Sequence, residues 1–348
     1  MKHPKKDYEF EVPDELVAAE PAARRDASRL LVLRRSGGLE HRAFSELPSL
    51  LSPGDCLVLN RSRVVPARLT GRKATGGAVD LLLLSESAPG LWRALGVGVK
   101  PGLTADVGDG VSATVEARDG EAWLVRFSTQ DVKGHLERRG LPPLPPYIRG
   151  KRKRAGLGDA RPEDHERYQT VYSQERGSLA APTAGLHYTP ELLAALKARG
   201  VAVAELVLHV GLGTFKPVVA EDVAEHVMLP EAYEVPAAAL AALRAAKSAG
   251  GRVVAVVPTA TRTLETVFAG GVLAEPTAPL SGETSLFILP GRPFAAVDAL
   301  QTNFHQPAST PLLLTCAFAG RERVLAAYRE AIEKRYRLFS YGDAMLIL

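Results

Sequence analysis

The stretch 63–130 does not read as helix, and it sets terms for the rest of the chain. Short apolar or alternating runs at 64–69, 79–84, 91–97, 111–117 and 123–127 are cut apart by Thr75-Gly76-Gly77, Pro89-Gly90, Lys100-Pro101-Gly102, Gly108-Asp109-Gly110 and Asp119-Gly120. Strand-sized runs divided by Gly- and Asp-bearing turns predict an all-β module, a small barrel or a sandwich.

Leu141-Pro142-Pro143-Leu144-Pro145-Pro146-Tyr147 follows. Its prolines cannot donate to a ladder, which predicts an extended strap between two bodies. Beyond residue 166 the texture is α/β. Thr189-Pro190-Glu191 supplies a cap and a first-turn proline, Leu192, Leu193 and Leu196 an apolar face, and Gly200 a stop. The pattern predicts a strand over 201–210, an Ala-rich helix over 236–249, a buried strand over 252–257 and a helix over 321–335. Ahead of the β module, 30–33 and 57–59 read as short strands.

At 348 residues, with 46% apolar and 24% charged residues, the chain has ordinary globular composition and the length of about two domains. No apolar run approaches the roughly 18–20 residues of a bilayer span. The basic start Lys2-His3-Pro4-Lys5-Lys6 is followed by no apolar signal region, and a cytosolic protein is expected. Cys56 and Cys316 stand at no metal-ligand spacing, so no metal is expected.

Charge is uneven. Over 133–154 there are eight basic residues, among them Arg149, Lys151, Arg152, Lys153 and Arg154, against the single acid Glu137, on a chain whose net charge is only +4. Such a run is the footprint of a phosphate-rich partner, because Lys and Arg displace its counterions, or else a solvated charged surface.

Five segments carry residues that packing alone does not require: 166–173, 181–193, 208–218, 302–310 and 339–345. Each sets a His, Tyr or Asp at the edge of an apolar run, where a loop presents side chains. His187, His209, His226 and His305 fall in or near them. Imidazoles titrate near neutrality, so these are candidate acid/base groups or, taken singly, structural hydrogen-bonding residues. Val210-Gly211-Leu212-Gly213 follows a strand, but Lys216-Pro217 stands where a dinucleotide fingerprint needs glycine and a helix. Walker A and nucleophile-elbow sequences are absent.

With 54–77, 142–148 and 282–291, these segments form an ordered set from Asp7-Tyr8 to Met345. In that order they make the chain resemble the S-adenosylmethionine:tRNA ribosyltransferase-isomerase family of queuosine biosynthesis. The resemblance implies an α/β body with a mixed sheet, 1–62 and 148–348, and an inserted small β-barrel domain with its proline-rich linker, 63–147. It also implies a bacterial enzyme that moves the ribosyl part of S-adenosylmethionine onto 7-aminomethyl-7-deazaguanine at the tRNA wobble position. The product is epoxyqueuosine, with adenine and methionine released. S-adenosylmethionine is then a consumed substrate, with no resident cofactor, no membrane and no obligatory protein partner. The chain departs from relatives at Val257-Pro258-Thr259, where they read Gly-Thr-Thr, and at Leu229-Pro230.

Such chemistry calls for a base beside the sulfonium and an acid for adenine. The resemblance points to His187, His209, His305 and Asp343 for these catalytic tasks. It points to Tyr168, Gln169, Thr183, Gly211, Gly213, Thr214, Glu231, Arg262, Asn303, Phe304 and Tyr341 for substrate contacts, with Arg149 and 151–154 on RNA. A non-catalytic RNA-binding protein is the alternative, and adenine release separates the two.

Overall fold

The structure is a computed structural model that describes residues 2–211, 213, 218–269 and 278–348. In chain order the strands begin with β1 (Arg29–Leu33), β2 (Leu39–Ala43), β3 (Cys56–Asn60) and β4 (Ser62–Val64). Then come β5 (Arg68–Lys73), β6 (Ala78–Ala88), β7 (Leu91–Val97), β8 (Thr104–Asp106), β9 (Ser112–Asp119) and β10 (Ala122–Phe127). The rest are β11 (Glu175–Ser178), β12 (Ala202–Leu208), β13 (Glu231–Val235), β14 (Val253–Val256), β15 (Leu280–Thr284), β16 (Ala299–Asn303) and β17 (Ala344–Ile347). The α-helices are α1 (Leu47–Leu50), α2 (Val132–Arg139), α3 (Pro146–Arg154), α4 (Asp164–Arg167) and α5 (Pro190–Ala198). After them come α6 (Ala237–Ser248), α7 (Val257–Val267), α8 (Thr310–Ala319) and α9 (Arg321–Glu333).

Strands β5 to β10 close into an antiparallel barrel in the order β10-β7-β6-β5-β8-β9. Alternate residues Val79, Leu81 and Leu83 of β6 point into its core with Trp92, Val125 and Phe127, and Val132 and Leu136 of α2 pack onto the same cluster. Gly71 is required where β5 meets β8, since a Cβ there would lie 2.6 Å from the Asp106 carbonyl oxygen. The predicted run 64–69 divides at Val65-Pro66. Its first part, β4, pairs in parallel with β11 of the body, and Arg68 opens the barrel. The three-residue β8 falls between the predicted runs.

The body holds a nine-stranded mixed sheet in the order β15-β13-β12-β3-β14-β16-β17-β1-β2. Its inner strands β3, β14, β16 and β17 are buried at every position, as the apolar runs of β14 and β17 require, while β3 carries the buried polar Asn60 and β16 the buried polar Gln301, Thr302 and Asn303. β12, β3, β14 and β16 run parallel, while β17 runs antiparallel to β16 and parallel to β1. Helix α5 forms as its cap predicts, with Thr189 Oγ1 accepting from Leu192 N–H at 3.1 Å. The proline strap is only partly extended. Pro146 sits at the first turn of α3, where a missing N–H costs nothing, so the basic run becomes a helix. Among the described residues no helix is long and apolar enough to cross a membrane.

Candidate active site

A cavity of about 480 Å³ opens beyond the carboxyl ends of β12, β14 and β16, lined there by Val210, Val257-Pro258-Thr259 and Asn303-Phe304-His305. Ligands of open α/β sheets bind at this edge, and the volume suits a small-molecule substrate. Tyr147, Tyr168, Phe287 and Phe339 give the wall an aromatic character, and Thr183, Ser309 and Thr310 add hydroxyls. Val257 holds φ at +80°, costly for a β-branched residue. That strain turns the chain abruptly from β14 into α7 at the cavity wall.

His305 lines this cavity. Its Nε2 lies 2.6 Å from Thr302 Oγ1, and its backbone N–H donates to Tyr328 Oη at 2.9 Å. Burial pushes its pKa down to about 3, so the ring is neutral at neutral pH. Arg262 also faces the cavity, but its guanidinium pairs with Glu231 and donates to the carbonyls of Leu286 and Thr284. Glu231 Oε1 in turn accepts from Gly211 N–H at 2.8 Å. Arg262 and Glu231 thus form a neutral pair holding α7, β13 and β15 together, and among the described residues no carboxylate lines the cavity.

The three motif histidines do not converge. His187 is only 4% exposed and lies behind the wall, with Nδ1 2.7 Å from Ser28 Oγ and Nε2 3.1 Å from Asn303 Nδ2. Burial, reinforced by Arg337, lowers its pKa to about 3. His209 packs its ring against Gly177 away from the cavity, and burial lowers its pKa too. Asp343 is held by backbone, its two oxygens accepting from Arg29 N–H at 2.9 Å and Arg337 N–H at 2.8 Å, while burial raises its pKa.

Other expected contacts have internal duties as well. Gln169 clamps Val64 through both main-chain groups. Tyr341 Oη donates to Asp164, and Phe304 packs edge-on between Tyr328 and Tyr336. Gly213 lies against Leu229, and Thr214 lies outside the described residues. Tyr168, Thr183, Arg262, Asn303 and Phe304 do reach the cavity. The sequence reading missed Tyr147, Thr259, Phe287, Ser309, Phe339 and Ser340. Phe339 and Ser340 lie within 339–345, a segment the sequence had singled out.

Most of the basic run is engaged within the protein. Arg152 is 1% exposed and bidentate to Asp164, at 2.6 and 2.9 Å, so RNA cannot touch it. Arg149 pairs with Asp80 and Asp159, Lys151 donates to the carbonyls of Asp14 and Val17, and Arg154 pairs with Asp14 at 2.8 Å. Lys153 is exposed. The helix therefore acts as a clamp, because its charges neutralise acids and carbonyls of neighbouring segments.

Comparison with known proteins bears on what this cavity serves. The family described as queuosine biosynthesis protein matches residues 5–347. The S-adenosylmethionine:tRNA ribosyltransferase-isomerase of Anaeromyxobacter sp. strain Fw109-5 is 52% identical, with 98% of each chain covered. Its counterpart from Citrifermentans bemidjiense is 49% identical, again over 98% of each. A crystal structure of S-adenosylmethionine tRNA ribosyltransferase from Thermotoga maritima superposes with a TM-score of 0.56 at 39% identity, covering 98% of this chain and 100% of that one. The mixed sheet and closed barrel, the ordered motifs and these matches agree: the chain belongs to the queuosine biosynthesis protein family and is an enzyme.

Proposed function

We propose that the chain transfers the ribosyl part of S-adenosylmethionine to the amine of 7-aminomethyl-7-deazaguanine at the tRNA wobble position. It then isomerises that group to the epoxycyclopentanediol of epoxyqueuosine, releasing adenine and methionine, in the cytosol. S-adenosylmethionine is consumed, so the reading needs no resident cofactor. The observation that carries it is the aromatic cavity at the sheet's carboxyl edge, whose one cation among the described residues, Arg262, is already paired and whose His305 is neutral. Such a lining adds no like charge against a sulfonium, and aromatic faces attract cations.

In this reading His305 is the proton carrier. In the tautomer whose Nε2–H donates to Thr302 Oγ1, Nδ1 holds the free lone pair that takes the proton from the ribose carbon next to sulfur. The imidazolium so formed is acidic in its desolvated place, and returns that proton to adenine as the glycosidic bond breaks. Thr183, Tyr168 and Asn303 stand where they would contact substrate, and an extruded base needs such a lined pocket. Incubating the protein with S-adenosylmethionine and substrate tRNA should release adenine, and His305→Gln should slow release by about 10²–10⁴-fold. Wild-type protein that releases none defeats the reading.

A further inference from the structure

A second, smaller recess of about 100 Å³ lies where the barrel meets the body, lined by Arg63, Pro66, Glu137, His165, Gln169 and Arg176 among others. Arg63 and Arg176 are register partners in the parallel pair β4–β11. Neighbouring strands run about 4.8 Å apart, so two guanidinium-bearing side chains start side by side, an arrangement that like charges oppose. The local compensation is small. Glu137 accepts from Arg176 at 2.8 Å, while Arg63 is bonded to the neutral Ser173 Oγ at 3.3 Å. The floor is fixed, because Gln169 grips Val64 through both N–H and C=O, at 3.0 and 2.8 Å. Among the described residues the recess thus sets two cations against one carboxylate, a net positive charge that an anion would offset. Its location says which one: Tyr168, the residue before Gln169, lines the large cavity, so recess and cavity lie on either side of the same backbone stretch.

We infer that Arg63 and Arg176 hold a backbone phosphate of the tRNA whose base enters the cavity, an inference that rests on the proposed reaction. Arginine's planar fork suits a phosphate, and the pairing supplies the charge that brings the strands' cations to rest. The inferred phosphate contact falls at the barrel–body junction.

The test is the salt dependence of tRNA binding by the full chain, measured by filter binding for wild type, Arg63→Gln, Arg176→Gln, the double variant and Arg63→Lys. Losing the contact should flatten the slope of log affinity against log salt by about 1. Arg63→Lys should keep the wild-type slope. Glu137→Gln should tighten binding, an effect opposite in sign to that of a merely structural residue. Melting temperatures of the Gln variants should hold or rise, since a like-charge pair is relieved. An unchanged slope in the double variant overturns the inference. So does inorganic phosphate that binds wild type and not the double variant while the tRNA slope stays put, since the recess then serves the free ion. Wild type that binds tRNA with the expected slopes and releases no adenine defeats the reaction, and leaves the phosphate contact standing.

Discussion

Asn303 Nδ2 lies 3.1 Å from His187 Nε2, so the cavity wall is braced by an imidazole that never reaches it. His187 is fixed on its other side by Ser28 and stacked 4.9 Å from Phe44, whereas His305 stands in the cavity itself. The two histidines therefore fail differently. His187→Ala should lower stability by about 2–4 kcal/mol, because it removes a buried ring and strands Asn303. His305→Gln should melt close to wild type while adenine release collapses. Paired melting and single-turnover measurements check both.

Stability should fall on acidification in a defined window. His187 and His305 have pKa values pushed down to about 3 from 6.5, so the unfolded chain binds protons that the folded one refuses. Their contribution is complete above pH 6.5 and is lost as the pH drops toward 3, at up to about 1.4 kcal/mol per pH unit for each ring. The stability read from denaturant melts should fall with acid across that range for wild type, and fall less for His187→Asn.

Helix α3 yields a prediction about folding in place of one about RNA. Arg152→Ala leaves the Asp164 carboxylate buried without its cation, and should cost about 3–5 kcal/mol. Lys153→Ala should change stability by less than about 0.5 kcal/mol. Urea titrations of the two variants separate the clamp from the exposed charge.

His135 presents the reverse case. It is wholly buried in α2, and neither ring nitrogen has a hydrogen-bond partner among the described residues. Replacing it with Leu removes two unsatisfied polar atoms, and should raise stability by about 1–2 kcal/mol. A lower melting temperature for His135→Leu would show that the ring is needed there.

Much of this architecture was legible because its signals are local. Gly-Asp turns mark the barrel hairpins, and Thr189 with Pro190 marks α5 before any packing is considered. Helix α8 was not legible in the same way, since Thr310–Ala319 is apolar on every side and shows no period. The start of helix α7 hid inside a valine run, because it follows β14 directly and only the left-handed φ of its first residue, Val257, marks the change. In the site, His305 was visible as a motif residue, but its separation from His187 and His209 depends on tertiary burial. The internal pairing of the basic run was hidden for a related reason. Its acids, Asp14, Asp80, Asp159 and Asp164, lie outside the run, and a count of charge within it cannot see them.

The placing of β17 bears on how the molecule comes together. Leu30 of β1 finds its partner in Ala344, and β17 alone joins β1 and β2 to the rest of the sheet, whereas the barrel completes all its ladders between Arg68 and Phe127. Contacts between distant segments cost more closure entropy and form late. The barrel can thus complete itself early, whereas the sheet beside it stays in two parts until one remote strand joins them.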